Sequence, residues 1–114
     1  MASLSTLEVR LLDEYYRCEH ALGVHEKNYA KMGPKKYISK KVIGGRPYLY
    51  LQWRENGRIR SQYIKKEDQD EWMRNVQFQK DEAESIKNLK RNMKQLEKAL
   101  GRKLIDEYRN RIRK

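Results

Sequence analysis

Cys18, His20 and His25 carry the donor atoms that could hold a metal or serve a nucleophile, in the order C-x-H-x4-H. Zinc accepts thiolate and imidazole ligands, but it needs a fourth donor, here Glu19 or Glu26, and a common focus. On a helix residues 18 and 20 point about 200° apart, and Cys18 falls on an apolar stripe where a free cysteine acts as a small hydrophobe. With only two histidines and one cysteine in the chain, a nucleophile, base and orienting group would all have to come from one helix end. No Walker sequence, GxGxxG or H-E-x-x-H occurs. The expectation is a non-enzymatic protein with no metal and no cofactor.

A different chemistry is written over residues 37–64, YISKKVIGGRPYLYLQWRENGRIRSQYI. Aromatic side chains on a sheet face can stack bases while flanking cations meet phosphates. Tyr37, Tyr48, Tyr50 and Tyr63 form such a platform, and Lys40, Lys41, Arg46, Arg54, Arg58 and Arg60 supply the cations. If the ribbon instead enters a major groove, Gln52, Arg54 and Ser61 reach base edges. The C-terminal residues Arg102, Lys103, Arg109, Arg111, Arg113 and Lys114 add a basic tail. The residues singled out for binding are Lys40, Lys41, Arg46, Tyr48, Tyr50, Gln52, Arg54, Arg58, Arg60, Tyr63, Arg109 and Arg113. In the competing arrangement the tyrosines pack beneath a helix with only their hydroxyls at the surface.

The net charge of +11 is concentrated where this platform lies. Residues 27–66 hold twelve basic residues against one acidic, and 102–114 hold six against two, whereas 1–26 are net −3 and 67–101 net −1. Such concentration favours a polyanionic partner, nucleic acid above all. Hydrophobic and charged fractions are both 38%, so the core must be thin and much of the chain solvated helix surface. At 114 residues the expectation is one domain, 1–114. Absence of a long apolar run or a signal-peptide core predicts a soluble, cytoplasmic protein with no membrane partner, and the lone Cys18 fits a reducing compartment.

The elements that must position these residues form an α+β arrangement: an N-terminal helix (1–26), a three-stranded antiparallel meander (36–65), a long helix (67–100) and a short basic C-terminal helix (102–114). Gly44-Gly45 and Asn56-Gly57 are two-residue hairpin turns, because both central positions of a type I′ turn need φ > 0. They set a register in which Leu49 faces Lys40 and Ile64, Leu51 faces Ile38 and Gln62, and Trp53 faces Arg60. One face is then mostly apolar, with Arg60 lying across the Trp53 indole. The other collects Tyr37, Ser39, Lys41, Tyr48, Tyr50, Gln52, Arg54, Ile59, Ser61 and Tyr63, since residues two apart share a face. Ser5 and Glu8 form a capping box for the first helix, whose apolar stripe is Leu4, Leu7, Leu11, Tyr15, Cys18 and Leu22. Gly23 is expected to end it, with a loop over residues 24–36. Trp72, Val76, Gln79, Ala83, Ile86, Leu89, Met93, Leu96 and Leu100 step by threes and fours along the long helix, and Gly101 caps it. Thirty-two helical residues span about 48 Å, against about 25 Å for a strand of this meander, so the far half overhangs the sheet. Its cover is expected from the N-terminal helix and from Leu104, Ile105, Tyr108 and Ile112 of the C-terminal one, with a homodimer through the long helix as the alternative.

Gly45, Tyr48, Tyr50, Leu51, Trp53, Arg54, Gly57, Ser61, Tyr63 and Ile64, followed by the Lys/Glu-rich helix, resemble a group of small bacterial and mobile-element proteins of unknown function. The resemblance covers roughly residues 36–100. Many relatives place cysteines ahead of the hairpin; this chain has none there, so no metal site of that kind carries over. The resemblance implies a setting of phages and mobile elements more than a chemistry. The expected function is a binding protein that engages nucleic acid through the basic, tyrosine-rich face. The alternative is an anti-CRISPR-like inhibitor that binds a host Cas nuclease and blocks its nucleic-acid loading or cleavage.

Overall fold

The computed structural model describes residues 4–112. It contains α1 (Thr6–Lys31), β1 (Lys36–Ile43), β2 (Arg46–Glu55), β3 (Arg58–Tyr63), a 3-10 turn (Lys66–Asp68), α2 (Gln69–Leu100) and α3 (Arg102–Ile112). The fold is α+β, with the predicted element order. Two compact regions divide it: Met1–Lys27 with Glu84–Lys114, which is helical, and Asn28–Ala83, which carries the sheet. The Ile112 side chain, Arg113 and Lys114 lie outside the described residues, so the expectations placed on them are not taken further.

α1 opens on the predicted capping box. The Glu8 amide donates to Ser5 Oγ and the Ser5 amide to Glu8 Oε1, both at 3.1 Å, so two otherwise unpaired helix-end donors are satisfied. The predicted end at Gly23 is corrected: the helix runs through it to Lys31. An interior glycine costs about 1 kcal/mol relative to alanine, and each further residue adds a helical hydrogen bond. The helix stops instead at Gly33, whose φ of +75° is the left-handed conformation that glycine adopts without strain, and Pro34 follows. The connection to β1 is therefore residues 32–35 rather than 24–36.

The sheet order is β1-β2-β3, antiparallel throughout. Both turns use the left-handed region as their sequences require: Gly44 and Gly45 have φ of +58° and +78°, Asn56 and Gly57 of +53° and +76°. The predicted register is observed, with Ile38 opposite Leu51, Lys40 opposite Leu49, Leu51 opposite Gln62 and Trp53 opposite Arg60. Ile64 lies just beyond β3, and its amide donates to the Leu49 carbonyl at 2.9 Å. The apolar face is the covered one, Leu51 and Ile64 each being 2% exposed. The buried Gln79 of α2 locks the loop before β1: its side-chain oxygen accepts from the Lys36 amide at 2.9 Å, and its amide nitrogen donates to the Pro34 carbonyl at 3.1 Å.

In the helical region Leu12, Tyr15 and Ile105 form the core, with Leu4, Met93, Leu96, Leu100, Leu104 and Tyr108 packed against it. The far half of α2 is thus covered within the chain, as expected for an intramolecular arrangement. The stripe on α1 needs one correction. Leu12, which the stripe left out, is fully buried, while Leu7 in the first turn is 66% exposed. Every residue named for the α2 stripe is at least half-buried, and Gly101 ends that helix with φ of +86°.

Candidate nucleic-acid interface

The second face of the sheet is a grid set by pairing. Across the strands it reads Arg54 beside Ile59, then Tyr37, Gln52 and Ser61, then Ser39, Tyr50 and Tyr63, then Lys41 beside Tyr48, and last Ile43 beside Arg46. The cations stand towards the two ends and the phenols fill the middle. Arg46 and Arg54 are eight residues apart on β2, about 27 Å at 3.4 Å per residue. Ile43, which the sequence analysis did not place here, follows from the Gly44-Gly45 turn that pairs it with Arg46.

This face is partly exposed. Tyr37 and Tyr63 are 41% and 46% exposed, Lys41, Arg46, Arg54 and Ser61 are exposed, and Tyr48, Tyr50 and Gln52 are half-buried. The phenols order one another: the Tyr63 ring lies 5.8 Å from Tyr50 in an edge-on arrangement and 6.1 Å from Tyr48 at 57°. Such geometries match the ring quadrupoles, negative face against positive edge. Lys41 places its ammonium 4.7 Å from the centre of the Tyr50 ring, a cation–π contact across a diagonal of the grid.

The strands give both faces the same net charge, and the faces differ in where the single acid lies. Glu55 is the one acidic residue within the three strands, and pairing with Arg58 puts it on the opposite face. There its carboxylate accepts from the Trp53 indole N–H at 3.3 Å and pairs with Arg60 at 3.7 Å. Arg60, expected across the indole, is drawn to Glu55 because a carboxylate attracts a guanidinium more strongly than a ring face does. Lys40, Arg58 and Arg60 therefore belong to the apolar side, while Lys41, Arg46 and Arg54 share the tyrosine face with no acid among them. Among the described residues neither Arg46 nor Arg54 makes an ion pair.

Arg109 sits on α3 in the helical region, where Glu19 accepts a hydrogen bond from its guanidinium. Cys18 is buried and its thiol donates to Glu14 at 3.7 Å. Burial first, then the Glu14 charge and hydrogen bond, raise its pKa, which holds it as an unreactive thiol. Among the described residues no three His, Cys, Asp or Glu side chains group to hold a metal ion, and no helix is long and apolar enough to cross a membrane.

A family described as a domain of unknown function (DUF6788) matches residues 5–75. The chain belongs to that family. The DUF6788 match takes in α1, the whole sheet and the opening turns of α2, so the tyrosine face lies wholly inside it. No curated protein and no solved structure matches the chain.

Proposed function

We propose that this protein is a non-enzymatic binding protein that engages nucleic acid through the tyrosine face of its sheet. One observation carries the reading: the face left open is the one with cations and phenols and no acid, while the face with the single strand carboxylate is covered at Leu51 and Ile64. Guanidinium groups without an ion pair, on a face to which the strands contribute no acid, attract phosphate, and exposed aromatic rings offer apolar contact to bases or sugars. The total charge of +11 adds long-range attraction to a polyanion.

Fluorescence anisotropy with labelled oligonucleotides, at salt from about 50 to about 200 mM, tests it. Affinity should fall with log–log slope near −2 to −3, because phosphate contacts release about 0.7 to 0.9 counterion each. An affinity that does not change over that salt range removes the proposal. A chain that bound no oligonucleotide yet blocked a Cas nuclease at stoichiometric ratio would replace it with the inhibitor expected as the alternative.

A further inference from the structure

We infer that the tyrosine face selects single-stranded nucleic acid over duplex, an inference that rests on the proposed nucleic-acid reading and adds to it the form of the ligand. A duplex keeps its bases stacked inside and offers an outer surface of phosphates, sugars and groove edges. It would leave the centre of this face, Tyr50 and Tyr63 with Tyr37 beside them, largely without a partner. A single strand presents base faces, which stack on aromatic rings whatever the sequence. The phenols are ordered before any ligand arrives, Tyr63 against Tyr50 at 5.8 Å and against Tyr48 at 6.1 Å. Less conformational freedom is then lost on binding. Arg46 and Arg54 at opposite ends of β2 are placed to take the phosphates of a strand running along the grid, with Gln52 and Ser61 paired in the row next to Arg54.

Charge alone predicts the opposite preference. A duplex carries one phosphate charge per about 1.7 Å and a single strand fewer, so a purely electrostatic surface binds duplex more tightly. The preference therefore reads out whether the rings contribute.

The experiment compares oligo(dT) and oligo(U) of about 12 nucleotides with a duplex of equal length, within the site sizes common for single-strand binders. All are titrated by anisotropy at about 50 mM salt against the intact chain. Single strands should bind tighter than duplex, with Tyr63→Leu weakening them about tenfold, Tyr63→Phe leaving them within about twofold, and duplex affinity unchanged in both. Arg46→Gln/Arg54→Gln should weaken every form. The oligo(dT) and oligo(U) arms separate DNA from RNA as the source of the strand. Duplex binding equal to or tighter than single-strand binding overturns the inference and leaves nucleic-acid binding standing. Single-strand preference that survives both Tyr63→Leu and Tyr37→Leu overturns it as well, since the rings would then not be the cause. Binding to none of the three probes overturns the underlying reading and this inference together.

Discussion

The helical and sheet regions carry nearly the same charge and arrange it in opposite ways. Met1–Lys27 with Glu84–Lys114 hold 14 basic and 9 acidic residues, and Asn28–Ala83 hold 13 and 7. In the helical region four of the nine carboxylates have side-chain partners within it: Asp13 the Tyr108 hydroxyl, Glu19 Arg109, Glu97 Tyr15 and Arg102, and Glu14 Arg17. In the sheet region six of the seven acids lie after the strands, and the seventh is on the far side of the sheet from the tyrosines. Net charge thus does not distinguish the two regions, and the proposed reading turns instead on strand cations that share a face with no strand acid. Arg109 and Arg54 are both arginines of a basic chain, yet Arg109 is paired with Glu19 while Arg54 makes no ion pair among the described residues.

The largest test of the contrast removes the core under each region. Leu12→Ala and Leu51→Ala truncate fully buried side chains and should each cost about 2–5 kcal/mol in urea denaturation. If Leu12→Ala cost less than about 1 kcal/mol, the helical ion pairs would be held by something other than the Leu12–Tyr15–Ile105 core, and the contrast would fail on that side. Next comes affinity. Arg46→Gln/Arg54→Gln should weaken oligonucleotide binding at least about 30-fold, near 2 kcal/mol, since hydrogen bonds to charged groups contribute about 1.5–3 kcal/mol. Arg102→Gln/Arg109→Gln, which removes as much charge from the helical region, should leave Kd within about threefold. Equal losses from the two pairs would mean that total charge, not the acid-free face, governs binding.

A third test concerns how the sheet is held in place. Gln79→Ala leaves the Lys36 amide and the Pro34 carbonyl without their side-chain partner in a half-buried setting, and should cost about 1–3 kcal/mol. Gln79→Glu keeps the acceptor for Lys36 but loses the donor to Pro34 and Gly33 and sets a buried carboxylate against their carbonyls, so its midpoint should fall at or below that of alanine. A glutamate variant as stable as wild type would assign the whole effect to the Lys36 bond.

The register and the sidedness of the sheet were legible because Gly44-Gly45 and Asn56-Gly57 both favour two-residue turns, and a two-residue turn fixes every pairing in its hairpin. The α2 stripe was legible because a 3-4 spacing sustained over that length averages out single exceptions. Gly23 misled because propensity at one residue is a weak term beside the continuing hydrogen-bond ladder. Gln79 was placed on the stripe correctly, but its role as a polar clamp depends on partners 43 to 46 residues away that no local pattern announces. The pairings of Arg109 with Glu19 and Arg60 with Glu55 were missed for a related reason. A chain rich in both signs offers many possible partners, and the fold chooses among them. Whether the tyrosine face is open was not fixed by the sequence; Tyr37 and Tyr63 are exposed while Tyr48 and Tyr50 are half-buried.

The smallest expected effect probes the commitment of the helical carboxylates most directly. Tyr15 donates to Glu97 at 2.8 Å, and Tyr108 donates to Asp13. Burial first, then the Glu97 hydrogen bond, raises the Tyr15 pKa; at Tyr108 the hydrogen bond to Asp13 comes first and burial second. The unfolded chain releases these protons near pH 10, while the folded chain still holds them, so above that pH the folded state binds more protons and its stability falls. Below pH 10 the contribution is fully present, about 1 kcal/mol for each bond. Tyr15→Phe/Tyr108→Phe should therefore be less stable than wild type by a constant amount from pH 7 to 9, with the gap closing as pH rises past 10. Urea midpoints at each pH read this out. A gap that stayed constant to pH 11 would mean the phenols titrate in the folded state as they do unfolded. Asp13 and Glu97 would then be as available as any surface carboxylate, and the helical region would no longer differ from the sheet in how its charges are engaged.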